Sequence, residues 1–381
     1  MILFAPSQYQ QRVRTFILTG RTRSSGGALK ILRKTRKLEH IKYAIELWDS
    51  GKNASAGFGD ISFIHNALPE LRWDEIDCSC SFMGKKLLAP LMINAITGGH
   101  ADVTEINRGL ARVAAATGIA MAVGSQRAAL DDPEVKKTFT VAREENSQGL
   151  LLANLDALCT LEEAEQAIEM IDADGLQLHL NVGQELVMRE GETSFAGIID
   201  NIGYLASKLH VPVVVKEVGF GLSREVVTTL FEAGVRYIDI SGRGGTNFAA
   251  IEGRRGGVVG LHLKKWGIPT AISLLEAVSA RLPLTVIASG GLRSSLDIAL
   301  ALTAGASLTA MAGPFLKVFV EKGEHGLLSL MQELIAGLKQ VMLLTGAVDL
   351  PSLKEKPIII TGYTAEWLQR RGINVDFYAR R

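Results

Sequence analysis

Eight short apolar segments recur along this chain at the spacing of a strand, a loop and a helix, and each ends in a small or polar residue. A parallel strand that helices cover on both faces of its sheet reads as a continuous apolar run. In parallel barrels the functional groups lie at the carboxyl ends of such strands. The pattern therefore predicts an α/β fold, a (β/α)8 TIM barrel with a single functional mouth. The segments are Leu91–Thr97, Ile119–Ser125, Leu150–Asn154, Leu176–Asn181, Val213–Lys216, Tyr237–Ser241, Leu284–Ser289 and Leu308–Gly313.

The length of 381 residues, 47% of them hydrophobic, accommodates one barrel of roughly 250 residues with terminal additions. We expect one barrel domain over residues 31–381, with a helix predicted from Ala28 to Asp49, after a basic, poorly ordered extension over residues 1–30. Residues 1–38 carry nine Lys and Arg and no acidic residue. That composition is typical of a transit peptide or a nucleic-acid-binding arm, and equally of a loose tail or a start placed too early. We expect no nucleic-acid partner.

The cysteine and hydropathy patterns bear on the compartment. Cys78, Cys80 and Cys159 are too few for a disulfide framework, and one Cys-x-Cys pair is a poor zinc signature. No apolar stretch reaches the roughly 20 residues needed to cross a bilayer. We therefore expect a cytoplasmic protein with no membrane partner.

Two glycine motifs close the last two strands. Ser289-Gly290-Gly291-Leu292-Arg293 follows the seventh segment and opens a helix, and Ala312-Gly313 closes the eighth. The loops after strands 7 and 8 of a barrel often hold a phosphate, because glycine lets backbone N–H groups approach the oxygens and a helix N-terminus adds partial positive charge. The two motifs together predict a phosphate site.

A lysine ends the fifth segment. Lys216 follows Val213-Val214-Val215 and is either a functional cation or a rim residue whose ammonium reaches solvent. If the phosphate belongs to a flavin, a lysine opposite it stabilises negative charge on N1 and O2 of the reduced ring. Neutral groups for binding a planar heterocycle stand at other strand ends: Thr97, Ser125, Asn154, Ser241 and Thr246.

The fourth segment places an imidazole near a carboxylate. His179 and Asn181 alternate with leucines, so both point the same way, and Gln184-Glu185 follows shortly after. A lone strand histidine is commonly a core residue, but this grouping favours a catalytic or metal-binding role. Glu185 suits Mg²⁺, which prefers one or two carboxylates with substrate phosphate and water. Glu252 is a candidate second carboxylate, on a long connection over residues 242–270 that has room to fold over the mouth.

Three cations form a further group. Arg36 and Lys37 lie on the predicted N-terminal helix, and Arg127 follows Ser125-Gln126. An Arg-Lys pair is normally a solvated helix face. If that helix packs over the mouth, the three cations converge on one diphosphate.

These residues resemble those of the type 2 isopentenyl diphosphate isomerases, which are flavin-dependent barrel enzymes. The resemblance runs from Arg36 to about Arg380. Two places differ from the family pattern: Ile96 stands where methionine is usual, and Met188-Arg189-Glu190-Gly191-Glu192 replaces Met-Pro-Glu-Gly-Asp. The motifs that carry the resemblance are Arg36-Lys37 with His40, His65-Asn66-Ala67-Leu68-Pro69-Glu70, Asn94-Ala95-Ile96-Thr97-Gly98-Gly99, Val123-Gly124-Ser125-Gln126-Arg127, His179-Leu180-Asn181 with Gln184-Glu185, Gly244-Gly245-Thr246-Asn247-Phe248, Ser289-Gly290-Gly291 and Ala312-Gly313.

The resemblance implies a complete set of site residues. It implies Glu185 as the Mg²⁺ ligand. With the pattern of the residues, it makes Gln184, His179 and Lys216 the candidate catalytic residues. The implied diphosphate-binding residues are Arg36, Lys37, Ser125, Gln126, Arg127 and Gln184. The implied FMN-binding residues are Ile96, Thr97, Gly98, Ser125, Asn154, Lys216, Ser241, Thr246, Gly291, Leu292, Arg293, Ala312 and Gly313.

The implied activity is the interconversion of isopentenyl diphosphate and dimethylallyl diphosphate, a 1,3-proton shift in isoprenoid biosynthesis. It requires reduced FMN, with NADPH as reductant, and Mg²⁺. The resemblance also favours a homo-oligomer, a tetramer or octamer. The sequence does not choose between His179, Gln184 and the flavin as the acid.

Two other functions fit parts of the pattern. A flavin oxidoreductase of the hydroxy-acid oxidase or inosinate dehydrogenase type shares the barrel and the phosphate loops, but we find neither a cysteine at the mouth nor a His-Arg pairing after strand 7. A flavin- or phosphate-binding protein without catalysis needs neither the cationic group nor Glu185.

Overall fold

The computed structural model describes residues 39–46, 54–188, 191–256 and 262–381. Eight parallel strands, β4 to β11, close into a barrel in chain order, with β11 pairing with β4. Each strand lies within or overlaps one of the eight predicted segments, so the predicted (β/α)8 barrel is confirmed. The strands are β1 Ile61–Phe63, β2 Cys80–Phe82, β3 Lys85–Leu87, β4 Leu91–Ile93, β5 Ala120–Ala122, β6 Leu151–Asp156, β7 Gly175–Leu180, β8 Val213–Glu217, β9 Tyr237–Asp239, β10 Thr285–Ser289, β11 Leu308–Met311 and β12 Ile358–Ile360.

Helices alternate with the barrel strands and cover their outer faces. Several begin at side-chain caps that the sequence supplies, such as the reciprocal Thr160–Glu163 capping box. The helices are α1 over 39–46, α2 Thr104–Thr117, α3 Arg127–Asp131, α4 Lys137–Glu145, α5 Leu161–Met170, α6 Val182–Glu185, α7 Ile198–Lys208, α8 Arg224–Glu232, α9 Phe248–Arg254, α10 Thr270–Ser279, α11 Ser295–Thr303, α12 Gly313–Thr345, α13 Leu350–Lys354, α14 Gly362–Arg370 and α15 Asp376–Ala379. Short 3-10 turns occupy Phe58–Asp60, Trp73–Glu75, Ala101–Val103, Pro133–Val135 and His262–Lys265.

The β2–β3 hairpin closes one end of the barrel. Phe82 and Leu87 join a buried apolar cluster with inward side chains such as Met92 and Ile287. Phe82 also meets the ring of Tyr237, the first residue of β9, with centroids 5.7 Å apart. The hairpin therefore covers the amino ends of the strands, which leaves the carboxyl ends to form the site.

Two segments cover the carboxyl-terminal mouth. The described part of the predicted N-terminal helix, over 39–46, is helical and brings His40 and Ile41 to the wall of the mouth. The long connection over 242–270 contributes α9, which packs against α6. The rest of the predicted helix and the basic extension over 1–30 lie outside the described residues, so the predicted extension stays a prediction.

Among the described helices, α12 is long and apolar enough to cross a membrane by length and composition. Our expectation that no segment reaches this length was therefore wrong. The helix packs along α2 and α11 and buries Phe315, Leu327 and Met331. Gly323 interrupts its helical geometry. These contacts are those of a core helix, which passes the same test.

Candidate active site

A cavity of about 840 Å³ opens at the carboxyl ends of the barrel strands. Every barrel strand or the loop directly after it contributes to its wall. The predicted single mouth is therefore present and brings most of the predicted site residues together. Those that line it are Ile96, Ser125, Arg127, Asn154, His179, Gln184, Glu185, Lys216, Ser241, Thr246, Gly291, Leu292, Ala312 and Gly313.

The loops after β9 and β10 approach each other through their backbones. A β-carbon on Gly290 would lie 2.2 Å from the Gly242 carbonyl oxygen, and one on Gly291 would lie 2.3 Å from Gly244 C. Both Gly290 and Gly291 have positive φ angles, of 101° and 87°. Only glycine fits both the contact and the conformation, and both residues line the cavity without a side chain.

The adjoining helix α12 begins at Gly313, and its N-cap residue Ala312 has no side chain to satisfy the first N–H groups. Both residues line the cavity. The N–H groups of Gly313 and Phe315 and the positive end of the helix dipole favour a phosphate at this point, and Pro314 between them has no N–H to offer. This arrangement agrees with the phosphate site predicted from the sequence.

Lys216 lies inside the mouth rather than at its rim. Its side chain is only 8% exposed, and its Nζ lies 3.1 Å from Asp239 Oδ2 and donates to the Glu217 carbonyl oxygen at 3.0 Å. The sequence analysis missed Asp239, which is fully buried. Its one signal was a carboxylate in an otherwise apolar strand. The buried ion pair holds an ammonium group at the wall of the cavity.

A chain of buried amides joins this ion pair to His179. Asn94 Nδ2 donates to Asp239 Oδ2 at 2.8 Å, and Gln177 Nε2 donates to Asn94 Oδ1 at 3.2 Å. Asn154 Nδ2 donates to Gln177 Oε1 at 3.0 Å. His179 Nδ1 lies 3.0 Å from Asn154 Oδ1. The floor of the cavity is thus one connected polar network.

Glu252 anchors a second network at the lid. Its Oε1 lies 2.6 Å from His40 Nε2 and accepts from Gln184 Nε2 at 3.3 Å, and its Oε2 accepts from Arg255 at 2.5 Å. Burial raises the pKa of this carboxyl, but the hydrogen bond and charge of His40, together with Arg255, outweigh burial and hold it below its usual range. Both oxygens are committed to protein partners. Glu252 therefore positions Gln184, and we do not retain it as a second Mg²⁺ ligand.

Glu185 faces the cavity with its carboxylate oriented by two donors. Asn181 Nδ2 donates to Oε1 at 2.7 Å, and the Glu192 backbone N–H donates to Oε2 at 2.9 Å. Within the described part of the chain, no group of three or more His, Cys, Asp or Glu side chains could hold a metal ion. A single oriented carboxylate fits Mg²⁺ that takes its remaining ligands from phosphate and water.

Arg127 lines the cavity but is held by two carboxylates. Its Nη2 lies 3.0 Å from Asp156 Oδ2, and its Nη1 pairs with Glu163, the residue that also caps α5. The sequence analysis did not include these two acids. Arg36 and Lys37, the other predicted diphosphate cations, lie outside the described residues.

Gln126 does not line the cavity. Its side chain is fully buried, its Nε2 donates to the Ala167 carbonyl oxygen at 2.8 Å, and its Oε1 accepts from the Asn154 backbone N–H at 3.0 Å. These bonds turn the amide toward α5 and away from the mouth. We therefore leave Gln126 out of the proposed substrate site and assign it to the support of β6.

Three predicted FMN residues, Thr97, Gly98 and Arg293, do not line the cavity; the first two are buried and Arg293 is exposed. The Thr97 hydroxyl is buried and has no hydrogen-bond partner within the described ranges. Gly98 packs against Phe139 so closely that a β-carbon would lie 2.0 Å from its ring. Arg293 follows the glycine turn, and its backbone N–H donates to Asp297 at the start of α11. An unpaired buried hydroxyl beside Ile96, a buried ammonium and the glycine turn are the donor set that fits FMN.

Comparisons of the chain with known proteins agree with this geometry. The family model described as FMN-dependent dehydrogenase matches residues 192–360. A protein of Moorella thermoacetica is 49% identical over 339 residues, 89% of this chain and 97% of its own. Proteins of Geobacillus sp. and Methanothermobacter thermautotrophicus are 44% and 42% identical, over 92% and 91% of this chain and 99% of each relative. All three are named isopentenyl-diphosphate delta-isomerase.

Solved structures share the barrel at much lower identity. A lactate oxidase of Pediococcus acidilactici superposes with a TM-score of 0.65 at 15% identity, covering 95% of this chain and 96% of its own. A mandelate oxidase variant with (S)-mandelic acid gives 0.60 at 14%, covering 86% and 98%. At this identity they show the fold alone. The close relatives, matched over nearly their whole length, and the FMN-type barrel show that this chain belongs to the type 2, FMN-dependent isopentenyl-diphosphate delta-isomerase family.

Proposed function

We propose that this protein interconverts isopentenyl diphosphate and dimethylallyl diphosphate with reduced FMN and Mg²⁺, as a step of isoprenoid biosynthesis. One observation carries the proposal: the glycine turn over Gly290–Leu292 and the buried Lys216 share one cavity with His179, Gln184 and Glu185. A protein that only binds a flavin needs the glycine turn and the lysine. We assign His179, Gln184 and Glu185 to the substrate.

The residues for FMN occupy one side of the cavity. We assign the phosphate to Gly290–Leu292 and Ala312–Gly313, and the ring to the neighbourhood of Thr97, Asn154 and Lys216. Reduced FMN, when bound there, supplies negative charge and a site of proton exchange next to the alkene. Lys216 places an ammonium group beside that charge, and its pairing with Asp239 keeps the group in position.

The reaction adds a proton at C4 of the substrate and removes one from C2, with no net redox change. His179 and Gln184 are the side chains that we assign to orienting the alkene or moving these protons. Glu252 accepts a hydrogen bond from the Gln184 amide and so fixes its direction. The lid helices α1 and α9 cover the mouth and exclude water from the positively charged centre that develops at C3.

The charge balance of the described wall argues for a metal ion. Arg127 and Lys216 are each paired with carboxylates. Asp131 and Glu192 add further negative charge to the wall. A diphosphate in this surrounding needs additional positive charge. We assign it to Mg²⁺ on Glu185, with Arg36 and Lys37 as the remaining cations.

NADPH as reductant, a tetramer or octamer as the assembly, and the cytoplasm as the location stay predictions. The purified protein with FMN, Mg²⁺ and isopentenyl diphosphate, kept free of oxygen, tests the function. We expect dimethylallyl diphosphate to form only when NADPH or dithionite is added. A folded, yellow and reducible protein that forms no product would overturn the proposal and favour the oxidoreductase alternative.

A further inference from the structure

The amide chain on the cavity floor ends at Asp239, whose carboxylate acts as a hydrogen-bond acceptor. Asp239 Oδ1 accepts from the Ser241 backbone N–H at 3.2 Å and from the Ser289 hydroxyl at 2.5 Å. Its Oδ2 lies 3.1 Å from the Lys216 ammonium. A backbone N–H and an ammonium can only donate, so the carboxylate accepts at both oxygens.

The accepting carboxylate fixes the orientation of the first amide, that of Asn94. Asn94 lies 2.8 Å from Asp239 Oδ2, and only its NH₂ group can donate to an accepting oxygen. The other end of the same amide agrees independently, since Asn94 Oδ1 accepts from the Ala95 backbone N–H at 2.9 Å. The orientation of Asn94 is therefore fixed twice, and its carbonyl oxygen faces Gln177.

The next two amides follow in order. Gln177 must present its NH₂ group to Asn94 Oδ1, which turns its own carbonyl toward Asn154. Asn154 must then present its NH₂ group to Gln177 Oε1, which turns its carbonyl toward His179. A ring nitrogen 3.0 Å from a carbonyl oxygen carries a hydrogen.

We propose that Asp239, acting through Asn94, Gln177 and Asn154, holds the neutral ring of His179 as the tautomer with hydrogen on Nδ1. Asn94 and Gln177 are positioning residues in this scheme, because they act on the His179 ring only through Asn154. The three amides are nearly or completely buried, so water does not compete for their bonds.

The consequence concerns the proposed reaction and rests on it. With the proton on Nδ1, Nε2 carries the lone pair of the neutral ring and is the atom that accepts a proton or a hydrogen bond. The same network ends at Lys216, so the group beside the substrate and the group beside the flavin are oriented by one carboxylate.

Nitrogen NMR tests the tautomer without reference to activity. The FMN-loaded protein is labelled with ¹⁵N-histidine and studied at alkaline pH, where histidine rings are neutral. A His179→Asn variant assigns the ring by loss of its signals. We expect a pyrrole-type signal for Nδ1 and a pyridine-type signal for Nε2. A pyridine-type signal for Nδ1 and a pyrrole-type signal for Nε2 would overturn the proposal. The variant serves only to identify the signals, so the tautomer is read from the wild-type protein.

Variants at the middle of the chain test the route. Gln177→Met keeps the volume but removes both amide functions, so we expect the Nε2–H tautomer to appear and turnover to fall on the order of tenfold. Gln177→Glu still accepts from Asn154 and should retain the Nδ1–H signal. Thr309→Val removes a buried hydroxyl of strand β11 that donates to the Pro90 carbonyl oxygen, and should leave the His179 signals unchanged.

An unchanged Nδ1–H signal in folded Gln177→Met would overturn the role of the chain. The Nδ1–H signal can be present in the wild type and absent in Gln177→Met while the wild type fails to isomerise isopentenyl diphosphate. That result would support the tautomer and refute the proposed function. The two conclusions are therefore separable.

Discussion

The ring of Phe220 fills the space beside Gly183 in which a side chain would begin: a β-carbon on Gly183 would lie 2.4 Å from Phe220 Cε2. Gly183 belongs to α6, the short helix that carries Gln184 and Glu185. The Phe220 backbone is tied in turn to the lid connection, because its carbonyl accepts from the Ile268 N–H at 2.7 Å. The positions of Gln184 and Glu185 thus depend on the contact between Gly183, which follows β7, and Phe220, which follows β8.

Gly183→Ala should therefore impair substrate turnover more than FMN binding. The added methyl group forces α6 or the Phe220 ring to move, at a cost of about 1–3 kcal/mol. Isomerase kinetics and an FMN titration measure the two effects. Adding Phe220→Leu to Gly183→Ala should recover activity in part, and Gly59→Ala, with no atom within 4 Å of the new carbon, should behave as wild type. Equal loss of FMN binding and turnover would contradict this account.

The loop that bears Phe220 is held by Glu217, whose Oε2 accepts from the N–H groups of Gly219, Phe220 and Gly221. Burial raises the pKa of the Glu217 carboxyl from 4.5 to about 7, although these N–H groups lower it. Between these values the folded protein binds a proton that the unfolded chain has released. This group therefore makes the free energy of unfolding fall as pH rises through the window.

Glu217→Gln should remove that dependence. Denaturant unfolding at several pH values should show the variant gaining stability relative to wild type as pH rises from about 4.5 to 7. Glu225→Gln is a control of opposite sign, since the Arg371 hydrogen bond lowers the pKa of Glu225 to about 2. Its contribution is present above 4.5 and lost as pH falls toward 2. Parallel pH curves for Glu217→Gln and wild type would refute the assignment.

Gly291→Ala should abolish FMN retention, because its β-carbon would collide with the Gly244 backbone and its φ of 87° disfavours a side chain. The flavin content of the purified protein and the FMN dissociation constant measure this. Gly84→Ala, in the β2–β3 turn, has a φ of 76° but no neighbouring atom within 4 Å. It carries the same backbone strain away from the site, and should keep its flavin. Normal flavin content in Gly291→Ala would exclude the proposed phosphate turn.

Lys216→Met should abolish turnover, weaken FMN binding and destabilise the fold. The variant leaves Asp239 buried without its ammonium, and removing one partner of a buried pair typically costs about 3–5 kcal/mol. Thermal unfolding and flavin titration measure these effects. Lys216→Met with Asp239→Asn should recover stability but not activity. Normal activity in Lys216→Met would refute the role of the lysine.

Glu185→Gln should raise the Mg²⁺ concentration needed for half-maximal activity while FMN binding stays unchanged, because an amide is a weaker Mg²⁺ ligand than a carboxylate. Mg²⁺ titration of the isomerase rate checks this. Glu192→Gln removes another carboxylate of the cavity wall and should change the requirement little. If the two variants respond alike, Glu185 is not the ligand.

Local sequence patterns were sufficient to predict the barrel. A buried parallel strand has a continuous apolar run, and its last residue meets the mouth, so Lys216, His179 and the glycine turns could be located by position alone. The helix caps are equally local, since Thr160 and Glu163 stand three residues apart.

Only the tertiary structure decided the partners of these residues. The register between β8 and β9 sets Lys216 opposite Asp239, and that between β6 and β7 sets Asn154 opposite Gln177. Asn94, the residue after β4, joins these pairs across the barrel from a position more than 80 residues before Gln177. Gln126 was predicted to face the substrate, but its side-chain amide donates to the Ala167 carbonyl oxygen of α5 and so points away from the mouth. Composition and spacing specify which residues reach the mouth, whereas strand register and barrel closure specify which of them touch, because those contacts join strands that are distant in sequence.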